Sequence, residues 1–386
     1  MATLKLLIGT KKGAFIYTAD EARREWSLTG PMMGGWRVLH MISDQRGDRH
    51  RLYAAANHDV WGPSVSKSDD GGETWEQRSE GLGFPEDMGL TLDSVWFVRA
   101  GLERESGVVY AGTSPAGLFR SEDWGKTWAP NDAINRHDYR AFWQPVAGGP
   151  ATPEAQRTTM GLTSIEIDPN DANHIYVTIG GGASYETADG GETWTGISVL
   201  TGKVPFDAEA FISQVKARVP PARDPAEAFD THCLRLDTKN PLRLWAQTHT
   251  GVFKTDDGAE SWQDVTTGLP SDHGFPVAIS RREPDAVFVV PLDVGGANFR
   301  VQPGQMTVYR SRDNGASWQP LTNGLPGPHN YQSVYREGLD TDGLDPEGVY
   351  AGTSNGEVYA SIDGGDRWVR LPGTLPPVLS VTCAVY

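Results

Sequence analysis

The sequence predicts an all-β chain folded as a seven-bladed β-propeller, one domain over residues 1–386. Three observations predict it. A short glycine-containing box recurs along the chain, its tryptophans mark a period of about fifty residues, and the two chain ends each carry part of one blade. Self-similarity at a fixed period of ~40 to 50 residues, with strand-length segments inside each period, is the signature of propeller blades.

The box is clearest at Ser68–Trp75, which reads SDDGGETW. It returns as SEDWGKTW (121–128), TADGGETW (187–194), TDDGAESW (255–262), SRDNGASW (311–318) and SIDGGDRW (361–368), with a degenerate copy from Thr18 to Trp26. The closing tryptophans, Trp26, Trp75, Trp128, Trp194, Trp262, Trp318 and Trp368, are 49, 53, 66, 68, 56 and 50 residues apart. Gly71 and Gly72 fit a tight turn, Ser68 and Asp70 have short side-chain oxygens for turn amides, and Trp75 has a large ring to bury between blades. Seven copies cannot all be one active site, so the box is read as scaffold.

Ahead of each box runs the same preamble, as in GVVYAGTSPAGLFRSEDWGKTW and GVYAGTSNGEVYASIDGGDRW. Alternating apolar runs split by Gly, Asn and Asp turns are strands of an antiparallel sheet. They are called A to D, with the box on the turn from C to D. The last run, LPPVLSVTCAVY, is an A strand with nothing after it, and LKLLIGTKKGAFIYTADEARREW supplies B, C and D with nothing before them. Joined, they complete one blade and leave no edge strand.

Composition narrows the function. A net charge of −16 repels polyanions, so neither nucleic acid nor an anionic membrane is an expected partner. Mean hydropathy is −0.43, and no apolar run approaches the ~18 residues of a membrane span. The first residues read as structure and not as a signal peptide. With only Cys233 and Cys383, both in apolar alternating runs, the expectation is two buried thiols in a cytoplasmic protein.

By these boxes the chain resembles the Asp-box, or BNR, repeat propellers, which include sialidases, sortilin-type receptors, xyloglucanases and photosystem assembly factors. Phrases such as GLPSDHGFPVAI and LPPVLSVTCAVY are similar to compact bacterial proteins labelled exo-α-sialidase or glycosyl hydrolase. Sialidase chemistry implies an Arg-Ile-Pro stretch, two further carboxylate-gripping arginines, a Tyr-Glu pair and an acid-base Asp on six blades. This sequence has no Arg-Ile-Pro, offers Arg37 in GGWRVLH as its nearest arginine, and has seven repeats. True sialidase activity is not expected.

In a propeller the D-to-A and B-to-C connections leave on one face, at the mouth of the central channel, and the boxes turn on the other. Insertions at 129–160, 195–230 and 291–307 belong to the first face. In the second, Phe211, Ile212, Val215 and Val219 have the spacing of one amphipathic helix ended by Pro220, either a lid or a packed insertion. Seven of the nine histidines map to this face: His40, His58, His137, His232, His249, His273 and His329; His50 and His174 do not.

His232, His249, His273 and His329 come from three consecutive blades and could converge on a divalent metal ion, the one cofactor suggested; the alternative is a polar channel lining. Asp59, Asp138 and Asp272 are candidate partners of neighbouring histidines. Trp36, Arg37, His58, His137, Tyr139, Arg140, Arg300 and Tyr331, with Trp143 and Phe299, are the candidate substrate-binding groups, suited to an anionic or glycan-like ligand. A glycosidase also needs a carboxylate pair, for which Glu86 and Asp93 are the choices. Two functions stay open: an enzyme on a small or glycan-like substrate, and a non-catalytic binding or assembly platform with a protein partner.

Overall fold

A computed structural model describes residues 2–47, 50–143, 161–200, 202–204, 230–293 and 304–386. These form seven antiparallel sheets, six of four strands and one of five, and the fold is the all-β seven-bladed propeller expected. The predicted helix at 211–219 lies outside the described residues, as do Phe299 and Arg300. Among the described residues, no helix is long and apolar enough to cross a membrane.

The chain divides into two compact units, Asp44–Asp264 and Met1–Ser43 with Val265–Tyr386. In the second of these, Val378–Val385 pairs with Thr3–Thr10, so one sheet takes its A strand from the C-terminus and B, C and D from the N-terminus. The ladder runs from Leu4 opposite Val385 to Thr10 opposite Val378, and Thr3 and Tyr386 exchange two backbone bonds of 2.9 Å beyond it. Val378, Val381 and Cys383 enter a core with Leu4, Leu6, Ile8, Tyr350 and Val358. Here one sheet packs its face on the next. Trp26 stands edge-on to Tyr17 and Tyr350, at 6.3 and 5.9 Å between ring centroids. A further core joins Phe288 and Val290 of one sheet to Tyr359 and Trp368 of another.

Within Asp44–Asp264, Phe97, Tyr110 and Leu118 pack against Ile165, Val177 and Tyr185, while Tyr176 and Ile197 pack against Leu234, Leu244 and Phe253. Alternate residues along each strand face opposite sides, so a sheet can fill a core on both faces. Cys233 and Cys383 are both buried free thiols. The strand Gly202–Val204 adds a fifth member to its sheet, beginning the insertion expected at 195–230. The described part of the 129–160 insertion forms a short helix, Asp132–Asn135, and a 3-10 turn, Asp138–Phe142.

Six boxes fold alike. The first side-chain hydroxyl, as in Ser68, donates to the aspartate two residues on and accepts the amide four residues on, at 2.7 and 2.9 Å for Asp70 and Gly72. That aspartate also accepts the amide six residues after the hydroxyl, as in Thr74 and likewise at Thr127, Thr193, Ser261, Ser317 and Arg367. Two successive residues take positive φ, 76° and 105° at Gly71 and Gly72. An L side chain resists that conformation, yet Trp124, Ala259 and Asn314 adopt it at 64°, 71° and 57°. At Trp124 the indole gains a compensating contact, with the Arg51 guanidinium 3.8 Å from its ring centroid. In the degenerate copy, Asp20 still accepts the Arg23 amide at 3.1 Å.

Deleting Val378–Tyr386 removes the whole A strand and two buried valines, each worth about 1.5 to 3 kcal/mol of burial. The deletion is expected to abolish the cooperative thermal transition, and a truncated chain melting as wild type does would contradict the pairing. Hydrogen bonds from Ser317 and Ser311 hold the Asp313 carboxyl down at about 2. Its stabilising effect is therefore complete above the unfolded value of about 4 and lost as pH falls towards 2. Asp313→Ala should lower Tm at pH 7, and the gap from wild type should narrow at pH 2.5; a constant gap contradicts the assignment.

Candidate functional site

Predicted residues come together in Asp44–Asp264, at the sheet ends from which D-to-A and B-to-C connections leave. In Asp44–Asp264 the densest group is Asp230, His232 and His249. Asp230 immediately precedes the A strand Thr231–Leu236, and His249 immediately follows its neighbour Leu244–Thr248. Thr231 pairs with Thr248 and Cys233 with Gln247, which makes His232 the extra residue of a β-bulge. Bulges re-aim side chains. His232 is 1% exposed, and its Nε2 lies 3.2 Å from Asp230 Oδ2. His249 Nδ1 lies 3.5 Å from the same oxygen, with the two imidazole centroids 5.6 Å apart. Asp230 is itself held: its Oδ1 accepts the Gly181 amide at 3.0 Å, and its carbonyl accepts the His249 amide at 2.9 Å.

His137, Tyr139 and Arg140 are also gathered, in scaffold contacts. His137 Nδ1 accepts the Tyr139 amide at 3.2 Å, capping the 3-10 turn, and its ring lies 5.0 Å from both Tyr139 and Tyr185. Burial lowers its pKa. The Arg140 guanidinium donates to the carbonyls of Ala116 and Asn135 at 2.8 and 3.1 Å and stacks 4.8 Å from the Trp143 ring. Burial brings its pKa down to about 10. Trp143 is buried, with its indole N–H donated to Tyr185 Oη at 2.7 Å.

His58 serves a turn. Its Nδ1 accepts the amides of Val60 and Trp61 at 3.0 and 3.3 Å, fixing the B-to-C connection. That turn carries Trp61 at 74% exposed, a residue the sequence reading passed over because it lies outside the box pattern. Glu86 is exposed in the 3-10 turn Glu86–Met88. Asp93 is exposed just before Ser94–Ala100, where its Oδ2 accepts the Ser94 hydroxyl at 3.1 Å.

In the other unit His273 is fully buried ahead of Gly274–Ile279, its ring 5.4 Å from Phe275. Arg336 lies over the same Phe275 ring at 4.8 Å. Unlike the buried His273, His329 is exposed on a loop, with a left-handed φ of 68°. Trp36 is buried, Arg37 exposed and Tyr331 53% exposed. Buried His40 has its Nε2 4.0 Å from Glu337 Oε2. Asp230 and Glu337, carboxylates found beside channel-face histidines, were both missed by sequence reasoning. Asp230 sits two residues before His232, a signal that was available; Glu337 is 297 residues from His40 and left none.

No protein-family model matches the chain. It is 28% identical over 292 residues to the oligoxyloglucan-reducing end-specific xyloglucanase of Emericella nidulans, covering 69% of this chain and 33% of that protein. It is 26% identical over 308 residues to the photosystem II assembly lipoprotein Ycf48 of a Synechococcus species, covering 80% of this chain and 69% of that one. The crystal structure of an ancestral GH74 enzyme superposes with a TM-score of 0.57 at 17% identity, over 86% of this chain and 38% of the other. What they share is the propeller. This chain spans about a third of the length of the xyloglucanase it matches.

Arg140→Met removes two charge-assisted bonds and leaves the Ala116 and Asn135 carbonyls without them. It should cost roughly 1.5 to 3 kcal/mol in urea unfolding. An unchanged midpoint would return Arg140 to the pool of ligand-binding candidates.

Proposed function

We propose that the chain acts on glycans, binding an oligosaccharide at the sheet ends where the D-to-A and B-to-C connections emerge. The observation that carries this reading is the match to a xyloglucanase over 69% of the chain. Trp61 supports it. An exposed indole, on a turn whose Val60 and Trp61 backbone N–H groups both donate to His58, presents an electron-rich face to the C–H face of a pyranose without the cost of ordering a flexible loop. The hydroxyl–aspartate–amide pattern of the boxes supports grouping the chain with Asp-box propellers. Glu86 and Asp93 remain the proposed carboxylate pair of a hydrolase.

A second reading is favoured by a different observation. The match to Ycf48 covers 69% of that protein, so the likeness runs along most of both chains. On this reading the same sheet ends hold a protein segment, and the chain is an assembly platform without catalysis.

Titration of the full chain with xyloglucan oligosaccharides, followed by tryptophan fluorescence and by release of reducing ends, separates the two. Trp61→Ala should weaken glycan affinity by about tenfold, equivalent to ~1.4 kcal/mol, with Tm unchanged because the ring is exposed. Absence of binding and hydrolysis across β-glucan oligosaccharides at millimolar concentration would sink the glycan reading and leave the platform.

A further inference from the structure

His232 and His249 share one carboxylate. Asp230 Oδ2 takes the Nε2 side of the first imidazole at 3.2 Å and the Nδ1 side of the second at 3.5 Å. Fixing one nitrogen of a histidine through a carboxylate sets the tautomer and raises the basicity of the other, the arrangement that commonly stands behind metal-ligating imidazoles. Here the aspartate hydrogen-bonds His232 and lies 3.5 Å from His249 Nδ1, so one carboxylate stands beside both rings. It is locked by the Gly181 amide on its second oxygen and by its own carbonyl on the His249 backbone.

We propose that His232 and His249, each through one ring nitrogen, bind one divalent transition-metal cation of the zinc type, with Asp230 as the positioning residue beside both. The two histidines offer ring nitrogens within 4.8 Å of each other, close enough for one ion with bonds of about 2.1 Å to draw them together by small side-chain rotations. Imidazole nitrogen selects zinc, copper, nickel or iron over magnesium and calcium, which prefer oxygen ligands. His232 is buried in its bulge, whereas the His249 side chain is 11% exposed and leaves a narrow approach from solvent. The strongly negative net charge favours cation capture. The site goes beyond the glycan reading and does not depend on it, because its test reads metal and not sugar.

The full-length protein, stripped by chelator and dialysed, is titrated with Zn(II) by calorimetry and with Co(II) by visible absorption. Wild type should bind one equivalent of Zn(II), with Co(II) giving ligand-field bands near one equivalent. Asp230→Asn should weaken Zn(II) binding by about 10- to 100-fold. His249→Gln should abolish the tight equivalent and the Co(II) bands. Because glutamine is polar and no larger than the histidine it replaces, this variant should keep the wild-type melting transition, and it decides the matter even if His232→Ala fails to fold. Equal Zn(II) affinity and stoichiometry in wild type and His249→Gln overturn the site; wild-type affinity in Asp230→Asn overturns the role given to the carboxylate.

Discussion

Everything in this fold depends on a carboxylate stopping a strand and turning it back. In each of six boxes an aspartate gathers a hydroxyl from before the turn and an amide from after it, closing a loop whose two central residues have positive φ. A two-residue left-handed turn is costly for L-residues, and the aspartate supplies charge-assisted hydrogen bonds only when the chain adopts it. Turn geometry in turn fixes the register between strands C and D. Register decides which side chains reach the cores, and a slip of one residue would send Phe253 and Lys254 to each other's faces.

The sheets themselves were legible because their information is local and repeated. Box, alternation and spacing each named the same strands, and even the sheet assembled from both chain ends could be read from what the first and last segments lacked. The fifth strand, Gly202–Val204, was not legible: KV between glycine and proline is too short to carry a period. Trp124 and Asn314 show the complementary limit. They stand where glycine is expected, and what makes them acceptable, such as Arg51 stacked on Trp124, lies far along the chain.

The candidate site was legible in part. The sequence placed His232 and His249 at the same end of one sheet, and the A–B ladder does bring them together. It assigned Arg140 and His137 to ligand binding from chemical type and their place in a mouth-face insertion, and in the structure the first ties two carbonyls and the second caps a turn. Residue type says what a side chain can do, but backbone carbonyls compete for the same donors, and only the fold reveals which competitor is near. Asp230 carried a local signal, two residues before His232, but its nearness to His249 arises only when the two strands pair. Trp61 escaped notice because exposure is invisible in a string of letters.

The bulge at His232 has counterparts. In the two preceding A strands the ladder also skips one residue, passing from Val95 to Phe97 and from Leu162 to Ser164, which leaves Trp96 and Thr163 in the corresponding places. Three sheets thus skip one residue near the start of the A strand, and the skipped places hold an indole, a hydroxyl and an imidazole. Because the ladder steps over the skipped residue, its side chain can change without rewriting the backbone ladder on either side. Such a chain can acquire new chemistry one sheet at a time, with the framework as a fixed rack and the side chains as interchangeable tools.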